Sequence, residues 1–176
     1  MMLELLTPRL RIRSWQQADV ASWGALCADP VVMRFFPKLL DRVEAAAWID
    51  QQQRTETQHG YCFWAVELLA TGEFIGMTGL HPLQIEGIIE GEVEIGWRLH
   101  QRFWGQGYAT EAARVCQAHA RTELGTKTLY AVASEANRSS LRVMEKLGMT
   151  ARRTFIHPLL PLGSALQPCM LYGVAL

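Results

Sequence analysis

The chain has 176 residues, 17 of them basic and 17 acidic, so its formal net charge is zero. Proteins that work on phosphate backbones or anionic lipid carry a net basic footprint, so neutrality argues against nucleic acid and membrane as partners. With 49% hydrophobic and 19% charged residues the composition excludes intrinsic disorder. It suits a substantial core in one domain spanning residues 1–176.

In chain order, Leu10 and Ile12 alternate with Arg9, Arg11 and Arg13, a period of two that predicts an opening strand. Asp19 to Ala28 reads as a helix ended by Asp29-Pro30. A second helix is expected from Arg42 to Arg54, with Val43, Ala46, Ala47 and Ile49 on one side. Tyr61 to Leu68 is aromatic and β-branched and predicts a strand. Thr71-Gly72 is a tight turn into a second strand, Glu73 to Leu80. His81 to Gly91 reads as a looser stretch before a strand from Glu92 to Leu99. A glycine-bearing loop, Arg102 to Gly107, leads into a helix over Ala109 to Leu124, with Gly125 as its C′ residue. Lys127 to Ser134 is a strand and Arg138 to Leu147 a helix closed by Gly148. Two more strands fall near Met149 to Ile156 and Cys169 to Val174. This mixture predicts an α/β or α+β sandwich around one mixed sheet.

No run of about 18 apolar residues occurs, so no transmembrane helix is expected. The N-terminus lacks an apolar segment with a small-residue cleavage site, and a cytoplasmic location is expected. Cys27, Cys62, Cys116 and Cys169 are scattered, with no CxxC. They read as buried hydrophobes in a reducing compartment. The five histidines form no HxxxH or HExxH pattern, so no metal site is expected.

The chemistry concentrates in EVEIGWRL followed by HQRFWGQGYATEAARV: strand, loop, helix. Gly105 and Gly107 flank Gln106 just before the helix. Glycine allows close backbone approach, and a helix N-terminus presents free N–H groups and partial positive charge. Together they suit an anion, most naturally a pyrophosphate; the plainer reading is a loop with glycines for turning. A dinucleotide fingerprint fails because Thr110 stands where a third small residue belongs. A P-loop fails because no Gly-Lys-Ser/Thr triplet occurs. Some thirty residues on, Asn137 precedes a helix with Ser139 and Ser140 in its first turn, a pattern that also suits a simple N-cap.

These segments resemble the GCN5-related N-acetyltransferase (GNAT) superfamily. Arg102-Phe-Trp-Gly105-Gln-Gly107 matches its Q/R-x-x-G-x-G/A acetyl-CoA signature, and Asn137-x-x-Ser140 with MEKLGM is similar to its second motif. TPRLRIRSW, FWAVELLATGEFIGMTGLHP, EVEIGWRL, GQGYATEAA, ANRSSLRVMEKLGM and HPLLP…LY resemble the RimJ/RimL-like branch of ribosomal-protein N-terminal acetyltransferases, over nearly the whole chain. Leu162, Ala165 and Cys169 depart from that branch, where polar or charged residues are commoner.

The resemblance implies a three-layer sandwich. Its one mixed, mostly antiparallel sheet would splay into a V between Glu92–Leu99 and Lys127–Ser134, with helices on both faces. It implies acetyl-CoA as cosubstrate, with the pantetheine arm along Trp97, Arg98 and Leu99. The pyrophosphate would lie on N–H groups from Arg102 to Tyr108, past Trp104, Gly105, Gln106 and Gly107, with Ala109 and Thr110 opening the helix. Asn137 would bond the arm from the other side. Arg142, with Arg138 and Lys146, could meet the 3′-phosphate or form a solvated basic face.

Glu94 is the candidate base or amine anchor, since Glu92 and Glu94 share one strand face; the plainer reading is a solvent-facing edge. Ser140 is the acid suggested by the resemblance, with Tyr108 and Tyr130 as local alternatives. Phe35 and Phe36, in a break between two helices, and the His81–Gly91 stretch are candidate walls for the acceptor. The expected acceptor is a protein or peptide α-amine, then a small-molecule amine, bound by a monomer or homodimer. A catalytically silent CoA-binding sensor is the rival.

Overall fold

In the computed structural model, which describes residues 3–176, eight strands form one sheet in the order β1-β2-β3-β4-β5-β6-β8-β7. The strands are β1 (Glu4–Leu6), β2 (Leu10–Arg13), β3 (Phe63–Leu68), β4 (Phe74–Ile85), β5 (Ile89–Leu99), β6 (Thr128–Ser134), β7 (Thr150–Phe155) and β8 (Cys169–Ala175). Four helices accompany them: α1 (Asp19–Cys27), α2 (Arg42–His59), α3 (Tyr108–Thr122) and α4 (Arg138–Lys146). Every neighbouring strand pair is antiparallel except β5–β6. The expected mixed, mostly antiparallel sheet with flanking helices is therefore observed.

Three expectations need correction. His81–Gly91 is not a loose stretch: β4 continues to Ile85, a tight turn follows, and β5 begins at Ile89. Leu83 and Ile85 are buried against Phe155, Cys169 and Leu171, and this small second core anchors the hairpin. On α2 the buried stripe is Ala45, Ile49, Gln52 and Thr55, while Val43 is 77% exposed. The helix starts at the capping box of Asp41 and Glu44, which fixes its phase, and runs on to a left-handed Gly60. A first strand, β1, precedes the predicted one; it is an edge strand of three residues, too short for a periodic signal.

The main core lies between the sheet and the helices around Trp23, Trp64, Ile12, Ile75, Leu80, Leu129 and Met144. Arg13 is buried in it as an ion pair, forking onto Asp19 at 2.7 Å through both terminal nitrogens and bonding Glu67 through Nε at 2.9 Å. That network ties β2 to the start of α1 and to β3, and places α1 beside the C-terminal half of β5.

The parallel pair β5–β6 is joined by only two residue pairs, Val93↔Leu129 and Glu94↔Tyr130. Beyond Glu94 the strands part, so Ile95 to Leu99 has a partner only on the β4 side. This is the V-shaped opening that the resemblance implied.

Candidate functional site

The opening between β5 and β6 is the mouth of a cavity of about 500 Å³. Its lining comes from β5, from the β5–α3 loop and first turn of α3, from α4, and from the break between α1 and α2. Two differently built walls result.

The first wall is backbone. Gly105 and Gly107 both hold left-handed φ, +75° and +84°, where L side chains are strained. A Cβ on Gly105 would meet nothing within 4 Å, and one on Gly107 only the tip of Arg9 at 3.4 Å, so the space over this loop is open. Gly107 is the N-cap of α3 and no side chain caps that helix, which leaves its first N–H groups, at Tyr108, Ala109 and Thr110, facing the cavity. The loop is held from behind. Arg9 donates to the Gln106 carbonyl at 3.0 Å, stacks 4.3 Å over Tyr108, and pairs with Glu111, which also accepts from Thr7 at 2.6 Å. Trp104 donates its indole N–H to the Leu99 carbonyl at 2.8 Å, locking the end of β5 to the loop.

Across the opening, Asn137 both caps α4 and lines the cavity: its Oδ1 accepts from the Ser140 N–H at 3.3 Å. Ser139, Ser140, Arg142 and Lys146 line it too, whereas Arg138 does not. Arg142 and Lys146 stand one turn apart on α4 and form no ion pair among the described residues.

The second wall is side chain. On β5, Glu94, Gly96 and Arg98 share the face turned toward α1 and α2. Phe35, Phe36, Trp48 and Phe63 close that side. Phe63 lies flat on the strand because Gly96 has no side chain: a Cβ there would come within 2.8 Å of the ring. Phe63 in turn stacks on His81, with ring centres 5.0 Å apart. Glu94 sits where the sheet divides. Its side chain keeps about a quarter of its exposure and lies 4.0 Å from His81 Nδ1, which is itself turned to the Pro82 carbonyl at 3.0 Å. Burial raises the Glu94 carboxyl from the ordinary value near 4.5 to about 7. The same cause lowers His81, so His81 is neutral near pH 7 and supplies no countercharge.

Several sequence candidates fall elsewhere. Glu92 shares the strand face of Glu94 but pairs with Leu83 on the extended hairpin and does not line the cavity, which opens only past Glu94. Arg102 turns outward to an ion pair with Glu73. Gln106 folds back onto the Arg102 carbonyl at 2.9 Å, leaving only its backbone for the loop. Tyr130 packs on the second core rather than in the opening, while Tyr108 lines it. The His81–Gly91 segment does not wall the cavity. Sequence reasoning missed Arg9, Trp48 and Phe63; each reaches the site across a strand pair or from a distant helix, and no local spacing signals that. From the His81–Gly91 stretch, His81 lies beside Glu94 without lining the cavity.

Among the described residues no group of three metal-type ligands occurs and no helix is long and apolar enough to cross a membrane. An elongated polyphosphate thioester fits what is present: unpaired strand backbone, an open glycine loop at an uncapped helix, and two unpaired cations on α4.

Residues 9–150 match the family model described as acetyltransferase (GNAT) domain. YkkB of Bacillus subtilis, an uncharacterised protein, is 38% identical over 152 residues, covering 86% of this chain and 87% of that one. A GNAT-family acetyltransferase structure from Bacillus anthracis superposes with a TM-score of 0.82 at 22% identity, covering 98% of each chain. A RimL structure, named as a ribosomal L7/L12 α-N-protein acetyltransferase in complex with coenzyme A, superposes at 0.80 with 15% identity, covering 100% and 98%.

Proposed function

Because the chain belongs to the GNAT family of acetyltransferases, we propose that it moves an acetyl group from acetyl-CoA to a primary α-amine by direct transfer in a ternary complex. The acceptor is a protein or peptide N-terminus before it is a small molecule, in the manner of the RimJ/RimL branch. The observation that carries this reading is Glu94, a carboxyl raised to about 7 at the point where the sheet divides.

Acetyl-CoA, when bound, supplies the activated thioester carbonyl. The acceptor must lose a proton. At pH 7 an α-amine of pKa near 7.8 is neutral about one time in seven, and a lysine side chain near 10.4 about once in 2,500. A base near 7 is matched to the first and poorly to the second. In its ionised form Glu94 takes the ammonium proton, directly or through one water. Backbone N–H groups of Ile95 to Leu99, unpaired on the β6 side, meet oxygen charge as it develops. Asn137 orients the cofactor arm from α4, and the uncapped N-terminus of α3 holds the pyrophosphate. Ser140, or Tyr108 from the first turn of α3, stands as donor for the leaving thiolate. Arg142 and Lys146 hold the 3′-phosphate.

Thiol release from acetyl-CoA, followed with pooled N-terminal peptides and pooled small amines, tests the reading. Acceptor-dependent release supports it, with peptides ahead of lysine-like amines. Tight acetyl-CoA binding without release from either pool overturns it in favour of a CoA-binding sensor.

A further inference from the structure

Arg98 is a cation without a countercharge. It forms no ion pair among the described residues. Among the described residues its Nε is buried with no hydrogen-bond partner, and the guanidinium's only bond is a weak one from Nη1 to the Cys27 thiol at 3.4 Å. Burial disfavours its charge, and burial also raises Cys27, which therefore stays a neutral thiol near pH 7. What surrounds the guanidinium is aromatic. Its carbon lies 3.7 Å from the Phe36 ring centre and 5.1 Å from that of Trp23. Trp23 carries the other orphan of this region, an indole N–H buried without an acceptor.

Such an arrangement is costly on its own. A buried charge is normally paired, and one left without its partner is strongly destabilising. Cation–π contacts return only part of that cost. Arg13, in the same core, shows the usual solution, with two carboxylates around one guanidinium. Arg98 differs in lining the cavity, on the same strand face as Glu94 and four residues along. That separation is about 13 Å between Cα positions. The Phe63 ring, lying over Gly96, floors the span between them.

We propose that Arg98 is the specificity residue for a carboxylate on the acceptor, so that the amine facing Glu94 belongs to a molecule carrying an acidic group within its first two residues. The proposal rests on Glu94 marking the amine end of the cavity. The carboxylate completes the pair that Arg98 lacks, the planar fork suiting a bidentate contact. Phe36, with its ring 3.7 Å from the guanidinium carbon, shields it from water. Two sources offer this chemistry: a glutamate or aspartate side chain at the second position of a peptide, or the terminal carboxylate of a free dipeptide.

The test separates binding from turnover. N-acetylated products are titrated onto the CoA-loaded protein, with heat of binding by calorimetry as readout. One arm compares peptides with Glu or Gln at the second position, both C-terminally amidated; the other compares a neutral dipeptide as free acid and as amide. In at least one arm the acid should bind tenfold or more tightly than its neutral twin. Arg98→Met should bring that ratio to within about twofold, and Arg98→Lys should keep part of it. Which arm responds identifies the source. Equal binding of acid and neutral twin in both arms, or no binding in either, overturns the proposal. So does a preference that survives in Arg98→Met, or a loss of acetyl-CoA affinity in that variant with no acid preference in the wild type, which would give the guanidinium to a cofactor phosphate. Failure of acetyl transfer with a clear acid preference would instead remove the proposed activity and leave Arg98 as an anion site.

Discussion

The two walls of the cavity are made of different material. Around Gly105 and Gly107 the ligand-facing groups are backbone N–H dipoles fixed by a loop and a helix end. Opposite, on the β5 face, they are two titratable side chains, Glu94 and Arg98, among aromatic rings. A backbone wall binds what every member of a family shares, because its donors do not depend on side-chain identity. A side-chain wall is free to vary, and the acceptor choice proposed above is assigned to it.

The largest expected effect tests the side-chain wall. Glu94→Gln should lower kcat roughly a hundredfold below pH 8, within the range usual for a general base, while acetyl-CoA affinity changes little. The wild-type rate should rise through pH 7 as the carboxyl ionises, and the variant should lack that rise. A parallel pH profile in both proteins removes Glu94 as base. Stability carries the opposite sign. A folded-state pKa raised from near 4.5 to about 7 means that stability is lost as pH climbs through that window. Glu94→Gln should therefore melt at a higher temperature than wild type at pH 8 and near the same temperature at pH 4.

The backbone wall is broken next. Gly107→Val forces a β-branched residue to φ +84° and points it into the open loop. Acetyl-CoA affinity should fall well over tenfold by calorimetry, with the fold retained by circular dichroism; unchanged affinity would dismantle the cradle assignment. Asn137→Ala straddles the two functions of that residue. It should cost about 1 kcal/mol of stability as a lost N-cap and weaken acetyl-CoA several-fold. A stability loss with unchanged affinity would reduce Asn137 to a cap. Smallest is Arg142→Gln, expected to weaken CoA about threefold at low salt, with the difference fading at high salt. If salt leaves the difference intact, the contact is not with a phosphate.

This division also explains what was readable from residues alone. The glycine loop, the Asn137 turn and the strand–helix order are local patterns, and they appeared where spacing placed them. Glu94 was placed on the correct strand, yet Glu92 stayed beside it as a second acceptor-site carboxylate: period two cannot tell where along β5 the sheet divides, and that point is set by pairing with Leu129 and Tyr130. The hairpin over Leu83 and Ile85 read as loop because its apolar residues pack on Phe155 and Leu171, which lie far along the chain. Arg98 looked like a backbone contributor only. Its isolation depends on Phe36, Trp23 and Cys27 arriving from another layer.

The two residue pairs between β5 and β6 have a mechanical side. Five strands lie to one side of that seam and three to the other, and β-ladder bonds cross it only beside Val93 and Glu94. Under pulling force, or on heating, the sheet has a built-in tear line. A ligand that lays its own amides along Ile95–Leu99 would stitch it. Occupancy should then slow amide exchange in β6 and β8 as well as in the loop it touches, making the saturated enzyme the stiffer molecule as well as the more stable one.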